Sequence, residues 1–233
     1  MVFGKRMKGC ENTISTTIKG TTLEVVTHTK FLGVILDNAL SWKDHTLYLA
    51  KKNSKSIGIL SRARPFLSKT TLRQLYFSFL YPYLNYCCTI WGNATDNILM
   101  PIFKIQKRAI RIIENIRSRD STKQAFHKLK LLRLPDLYKF SVLLFVYKYK
   151  NGLLPIIFDP FYIENRQVHN YPTRNAGQFR IPLTKSRVAS CFIKKTGVSI
   201  WRDLNNEISH QMKIGLFKKE IIALLIDKYI SSE

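Results

Sequence analysis

Lys30-Phe31-Leu32-Gly33-Val34-Ile35-Leu36-Asp37-Asn38-Ala39-Leu40-Ser41-Trp42-Lys43-Asp44-His45 is the stretch from which the rest of the chain takes its reading. Residues 31–36 form an apolar run broken only by Gly33 and closed by Asp37-Asn38. A short apolar run bounded by turn residues predicts a strand buried on both faces, and a glycine within it marks a close backbone approach. Ser41 then offers an N-cap oxygen to a helix opening at Trp42, because the first amides of a helix lack intrahelical acceptors. The stretch therefore predicts a strand turning sharply into the first helix of a long helical region.

Upstream, residues 13–18 and 21–26 are Thr/Ile/Val-rich and flank Lys19-Gly20, the pattern of a β-hairpin. Val2-Phe3 reads as a strand stub, and with residues 31–36 the hairpin predicts a small antiparallel sheet. So few strands are marginal alone and must lean on the helices that follow.

Downstream, the apolar positions take helical spacing. Over about 42–62, Trp42, Leu49, Ile57 and Leu60 share a stripe, Lys43, Lys51, Lys52 and Lys55 lie elsewhere, and Pro65 ends the helix. Ser68 caps a second helix with Leu72, Leu75, Tyr76, Phe79 and Leu80. Pro82 breaks it and Trp91-Gly92 closes it. A third helix over about 96–115 has the stripe Ile98, Ile102, Ile105, Ala109 and Ile112 or Ile113. Ser121 to Gln124 has capping-box spacing, Pro135 starts a further helix, and Asn151-Gly152 stops it. Pro155 and Pro160 mark an irregular connector. Trp201, Leu204 and Ile208 suggest a short helix, and Phe217, Ile221, Leu224, Leu225 and Tyr229 a final amphipathic one.

Charge is the outlying total. With 38 Lys+Arg against 15 Asp+Glu, the net charge is +23 over 233 residues, although 45% of the chain is hydrophobic and 12% aromatic. Such composition belongs to a folded protein, and such self-repulsion points to a polyanionic partner. The densest cluster is Lys104, Lys107, Arg108 and Arg111, continuing to Arg117 and Arg119, with spacings of three, four and seven along one flank of the third helix. A charged helix face is most often simply solvated. Here the excess charge raises a second reading, a ridge that tracks phosphates without reading sequence. Further on, Arg174, Arg180, Lys185 and Arg187 are interleaved with Tyr171, Phe179 and Phe192 in a stretch free of Asp and Glu. That mixture suits backbone binding with stacking rings, or a loop whose aromatics pack inward.

Four scattered cysteines, Cys10, Cys87, Cys88 and Cys191, show no zinc spacing, and free thiols with no signal peptide predict an intracellular chain, nuclear or cytoplasmic. The apolar stretches at 72–91 and 137–147 are interrupted by polar residues or too short to cross a membrane, and the final helix lacks a strongly cationic face. No phosphate-binding glycine loop, nucleophile elbow or His-Glu-x-x-His motif occurs, and no small-molecule substrate is predicted.

The sixteen residues quoted at the outset resemble the segment that ends the palm and begins the thumb in reverse transcriptases of non-LTR (LINE-type, Jockey-like) retrotransposons. Residues 62–67, Tyr81-Pro82-Tyr83-Leu84-Asn85-Tyr86 with Ile90-Trp91-Gly92, and residues 105–111 resemble that family's thumb. His169-Asn170-Tyr171-Pro172-Thr173-Arg174 and Gly197-Val198-Ser199-Ile200-Trp201 continue the likeness. The resemblance implies a palm-edge remnant over 1–40, a thumb-like helical bundle over 41–155 and a basic C-terminal lobe over 156–233. The fold class is then α+β, mainly α, with a small antiparallel hairpin or sheet at the N-terminus. It also implies an RNA-directed DNA polymerase whose complete form needs Mg2+ held by adjacent aspartates and a third carboxylate. No Asp-Asp pair occurs in this chain. The expectation is a truncated relative, inactive alone and without a cofactor. It would grip an RNA–DNA primer–template duplex without sequence preference, or pair with the missing catalytic portion of a polymerase. A protein-interaction or scaffold role for the same bundle, or a fragment without function, is the competing expectation.

Overall fold

The computed structural model describes Phe3 and residues 17–168, 176–185, 187–204 and 213–230, the side chains of Arg187 and Val188 excepted. Val2 of the expected strand stub and most of the expected strand at 13–18 lie outside the described residues, and Phe3 is not in a strand.

Two separate antiparallel hairpins open the chain. β1 (Thr17–Ile18) pairs with β2 (Thr21–Thr22) around Lys19-Gly20, whose φ angles are 49° and 80°. Two left-handed central residues match the natural twist of paired strands, which is why a Lys-Gly pair turns here. β3 (His28–Phe31) pairs with β4 (Val34–Asp37), Phe31 opposite Val34, so Leu32-Gly33 is itself a turn, with φ of 45° and 82°. The single two-sided strand expected over 31–36 is therefore corrected to a hairpin tip. Gly33 lets the chain reverse, and Phe31 and Leu32 stand 63% and 73% exposed while Val34 is buried. The hairpins also form two sheets rather than one.

The corner into the first helix belongs to Asp37 rather than Ser41. The Asp37 carboxylate accepts the amides of Ala39, Ser41 and Trp42 at 3.0 Å and the Ser41 hydroxyl at 3.2 Å. Ser41 Oγ accepts only the Lys43 amide, at 3.3 Å. Trp42 sits at φ 66° ahead of α1 (Lys43–Ala63), and its ring is buried.

α1 is followed by α2 (Lys69–Phe79), where Ser68 Oγ accepts the Thr71 amide as the cap expected of it. Pro82, in the first turn of α3 (Tyr81–Asn85), sets that helix off from α2, and the extended Tyr86 with Cys87 at φ 51° separates α3 from α4 (Cys88–Trp91). α5 (Asp96–Glu114), α6 (Lys123–Lys128) and α7 (Leu134–Lys150) complete the central bundle. Ahead of α6 the expected capping box does not form. The cap position is Thr122, which makes no side-chain cap bond. α8 (Arg187–Ser190), α9 (Ile193–Arg202) and α10 (Ile214–Asp227) follow the connector. Among the described residues no helix is long and apolar enough to cross a membrane.

One core runs from Val34 and Trp42 through α1, α2, α5 and α7 to α10. Trp91, Ile102, Phe126 and Ile110 are wholly enclosed in it. The buried stripe of α5 is Leu99, Ile102, Gln106, Ala109, Ile110 and Ile113. Ile98, Ile105 and Ile112, which the sequence puts in the stripe, flank it half-buried. A second, smaller cluster joins Val146 of α7 to Tyr162, Phe179 and Val198. α10 packs back on the main core, Phe217 stacked on Tyr147 with ring centroids 4.2 Å apart. The chain beyond residue 155 therefore shares the bundle's core at its end.

His45 makes the fold sensitive to acid. Its ring is buried between Tyr48 and Trp91, Nδ1 accepts the Ile35 amide at 3.3 Å, and burial pushes its pKa from 6.5 down to about 4. The unfolded chain binds a proton in that interval and the folded chain does not. Its contribution is thus complete above about pH 6.5 and lost as pH falls toward 4, by roughly 2–3 kcal/mol. Urea melts at pH 7 and pH 4.5 will show this loss, and a His45→Phe chain, which cannot titrate there, will lack that share of it.

Candidate nucleic-acid interface

α5 positions the ridge. Asp96 lies in its first turn and Arg111 in its last, each complementing the helix dipole, and Asn115 at φ 57° terminates it. At about 100° per residue, Lys104, Lys107, Arg108 and Arg111 fall on the side opposite the buried stripe. Burying one face against α1, α2 and α6 thus turns these cations outward together. From Lys104 to Arg111 the helix advances about 10 Å, the rise of roughly three nucleotides in one strand.

The ridge lacks counter-charge. Among the described residues none of these four side chains pairs with a carboxylate, whereas Glu114 at the helix end is taken by Lys69 and Lys128, at 3.2 and 3.5 Å. Lys107 Nζ rests 4.3 Å from the Phe103 ring centroid. Its burial first, and then the charges of Arg111 and Arg133, hold its pKa below the usual lysine value. Arg111 reaches past the helix end to donate to the Asp120 carbonyl at 3.0 Å, while its Nε is buried with no partner. Asp120 also accepts the Arg117 amide at 3.2 Å, closing the turn that carries exposed Arg117 and Arg119. Crowded like charges facing solvent are the electrostatic footprint of a polyanion site.

Arg133, which the sequence does not single out, joins this group from the start of α7. Its Nε donates to Asp136 at 3.1 Å and its guanidinium lies 3.9 Å from the Tyr229 ring centroid. Helical spacing could not reveal it, since it stands on another element.

Only part of the second set of expected contacts falls on described residues. Arg174 lies outside the described residues, as does the Arg187 side chain. Arg180 and Lys185 are exposed, on a segment tied to Ile163 through the Arg180 amide at 2.8 Å and to α9 through Arg202, which donates to the Phe179 carbonyl at 2.7 Å. Phe179 is 4% exposed and stacks on Tyr162 at 5.1 Å. It packs inward and offers no stacking face, whereas Phe192 is exposed.

The resemblance implies Mg2+ for a complete enzyme, and the residues here do not fit it. The chain has no adjacent aspartates, and both oxygens of buried Asp37 are committed to backbone and hydroxyl donors. No family model, no curated protein and no solved structure matches this chain.

Proposed function

We propose that this chain grips a primer–template duplex of RNA and DNA as the thumb-side portion of a non-LTR reverse-transcriptase-like protein, and carries no chemistry itself. The observation that supports this best is the ridge of Lys104, Lys107, Arg108 and Arg111, exposed or half-buried and without a carboxylate partner among the described residues. Phosphates laid along it would relieve the repulsion that Lys107 meets from Arg111 and Arg133. Each phosphate neutralised releases condensed counterions, which is the driving force, and backbone contacts of this kind carry register rather than sequence. Arg117 and Arg119 would extend the track beyond the helix, with Arg180 and Lys185 as a separate contact.

The test replaces Lys104, Lys107, Arg108 and Arg111 by alanine together. Fluorescence anisotropy on an RNA–DNA duplex should show binding weakened about 100-fold near 0.1 M salt and the slope of log affinity against log salt reduced by about 3–4. Exposed Lys218 and Lys219 on α10 provide the control pair, whose replacement should shift that slope by less than about one. An unchanged slope in the fourfold variant would remove the ridge from the account.

A further inference from the structure

A different part of the surface combines cations with aromatic rings. Lys30 and Gly33 of the second hairpin, Tyr48 and Lys52 of α1, and Tyr83 and Tyr86 of α3 and its end line a cavity of about 310 Å³. Two ammonium groups converge on one ring. Lys30 Nζ lies 5.3 Å and Lys52 Nζ 5.7 Å from the Tyr48 centroid, and Lys52 is also 4.9 Å from the Tyr83 centroid. Lys52 donates to the Tyr48 hydroxyl at 3.4 Å and thereby holds that phenol below its usual pKa. Among the described residues neither lysine has a carboxylate partner, and the two positive charges are answered by π faces and by the Tyr48 and Tyr83 phenol oxygens.

The walls are built. Tyr86 is fixed by its hydroxyl, which donates to the Leu32 carbonyl at 2.7 Å. Gly33 packs beside it, where an added Cβ would lie in ordinary contact, 3.5 Å from the Tyr86 ring. An inorganic anion alone would satisfy the lysines and leave the rings unused. A volume near 300 Å³ lies at the small end of ligand pockets and suits a flat ring with an attached anion. Flat rings stack on aromatic side chains whatever their identity, and ammonium groups bind phosphate as point charges.

We propose that this cavity binds a nucleoside monophosphate unit, its phosphate between Lys30 and Lys52 and its base against Tyr83 and Tyr86. The inference stands apart from the ridge, because it uses none of the ridge's residues and is read with a ligand too short to span them. The unit can come from a free nucleotide or from the end of a strand, and the two sources share this chemistry.

Isothermal titration of the full chain at pH 7.5 with adenosine monophosphate, adenosine and inorganic phosphate decides it. The monophosphate should bind at least about tenfold more tightly than either half, since each half leaves part of the site unfilled. Lys30→Ala with Lys52→Ala should cost about tenfold or more, and Tyr83→Leu should bring the monophosphate close to the affinity of phosphate alone. Both lysines are exposed and Tyr83 is half-buried, and an unchanged thermal midpoint will show that these variants keep the fold. The fourfold ridge variant should bind the monophosphate as the parent does. With that variant, displacement of the monophosphate by a 5′-phosphorylated trinucleotide assigns the site to strand ends, and lack of displacement assigns it to free nucleotides. Equal binding of monophosphate and phosphate overturns the proposal, as does binding lost on changing the ridge but kept on changing the two lysines.

Discussion

A Gln106→Leu chain is expected to lose about 3–5 kcal/mol of folding free energy, although leucine suits the volume and helix propensity of the site. Gln106 is wholly buried within the core stripe of α5. Its Nε2 donates to the Tyr76 hydroxyl and to the Leu132 carbonyl, both at 2.9 Å, and its Oε1 accepts the Leu134 amide at 2.9 Å. One amide thus joins α2, the α6–α7 connection and the start of α7. Leucine would leave two buried polar groups and one partly buried carbonyl unpaired, at up to about 1–3 kcal/mol each, partly offset by the added apolar burial. The Tyr76 phenol cannot escape by ionising, since burial pushes its pKa far upward. Urea denaturation followed by circular dichroism will show a lower midpoint at unchanged slope. A loss under about 1 kcal/mol would mean that water reaches these groups.

Asp37→Ala should cost about 3 kcal/mol and act on the corner between β4 and α1. The backbone there is strained at two non-glycine positions, Leu40 at φ 50° and Trp42 at φ 66°, each disfavoured by about 1–2 kcal/mol. The carboxylate holds both by accepting amides on either side of Leu40 and from Trp42 itself. Without it the strained turn has no reason to persist, and Trp42 leaves the core. Asp37→Asn keeps one accepting oxygen and should lose about half as much. Hydrogen exchange gives the local reading: the Ser41 and Trp42 amides should lose protection in the alanine variant while those in the middle of α5 keep theirs. Equal loss at both places would make Asp37 part of the global core instead.

The mainly helical α+β class was legible because the helices carry their own punctuation. Ser68 caps α2, Pro135 opens α7, Asn151-Gly152 closes it, and Phe217, Ile221, Leu225 and Tyr229 repeat at helical spacing. The hairpin at Leu32-Gly33 was not, since an apolar run with one glycine looks the same whether it continues as a strand or reverses. The true stripe of α5 was hidden by Gln106. A polar residue at its centre tilts the apparent apolar face toward Ile98, Ile105 and Ile112, and only the groups that Gln106 meets reveal why it is inside. The ridge was legible from spacing within one helix, while Arg133 and the cavity around Tyr48 were not. Lys30, Lys52, Tyr83 and Tyr86 are brought together only by the packing of a hairpin tip on two helices.

The central claim concerns the grip on a duplex, and a titration of the full chain with a labelled RNA–DNA primer–template at stepped salt concentrations meets it directly. The ridge predicts saturable binding whose log affinity falls linearly with log salt at a slope near −0.9 for each phosphate neutralised, about −4 to −6 in all. Flat salt dependence, or no saturable binding even at low salt, would contradict the grip and leave the bundle to a protein partner.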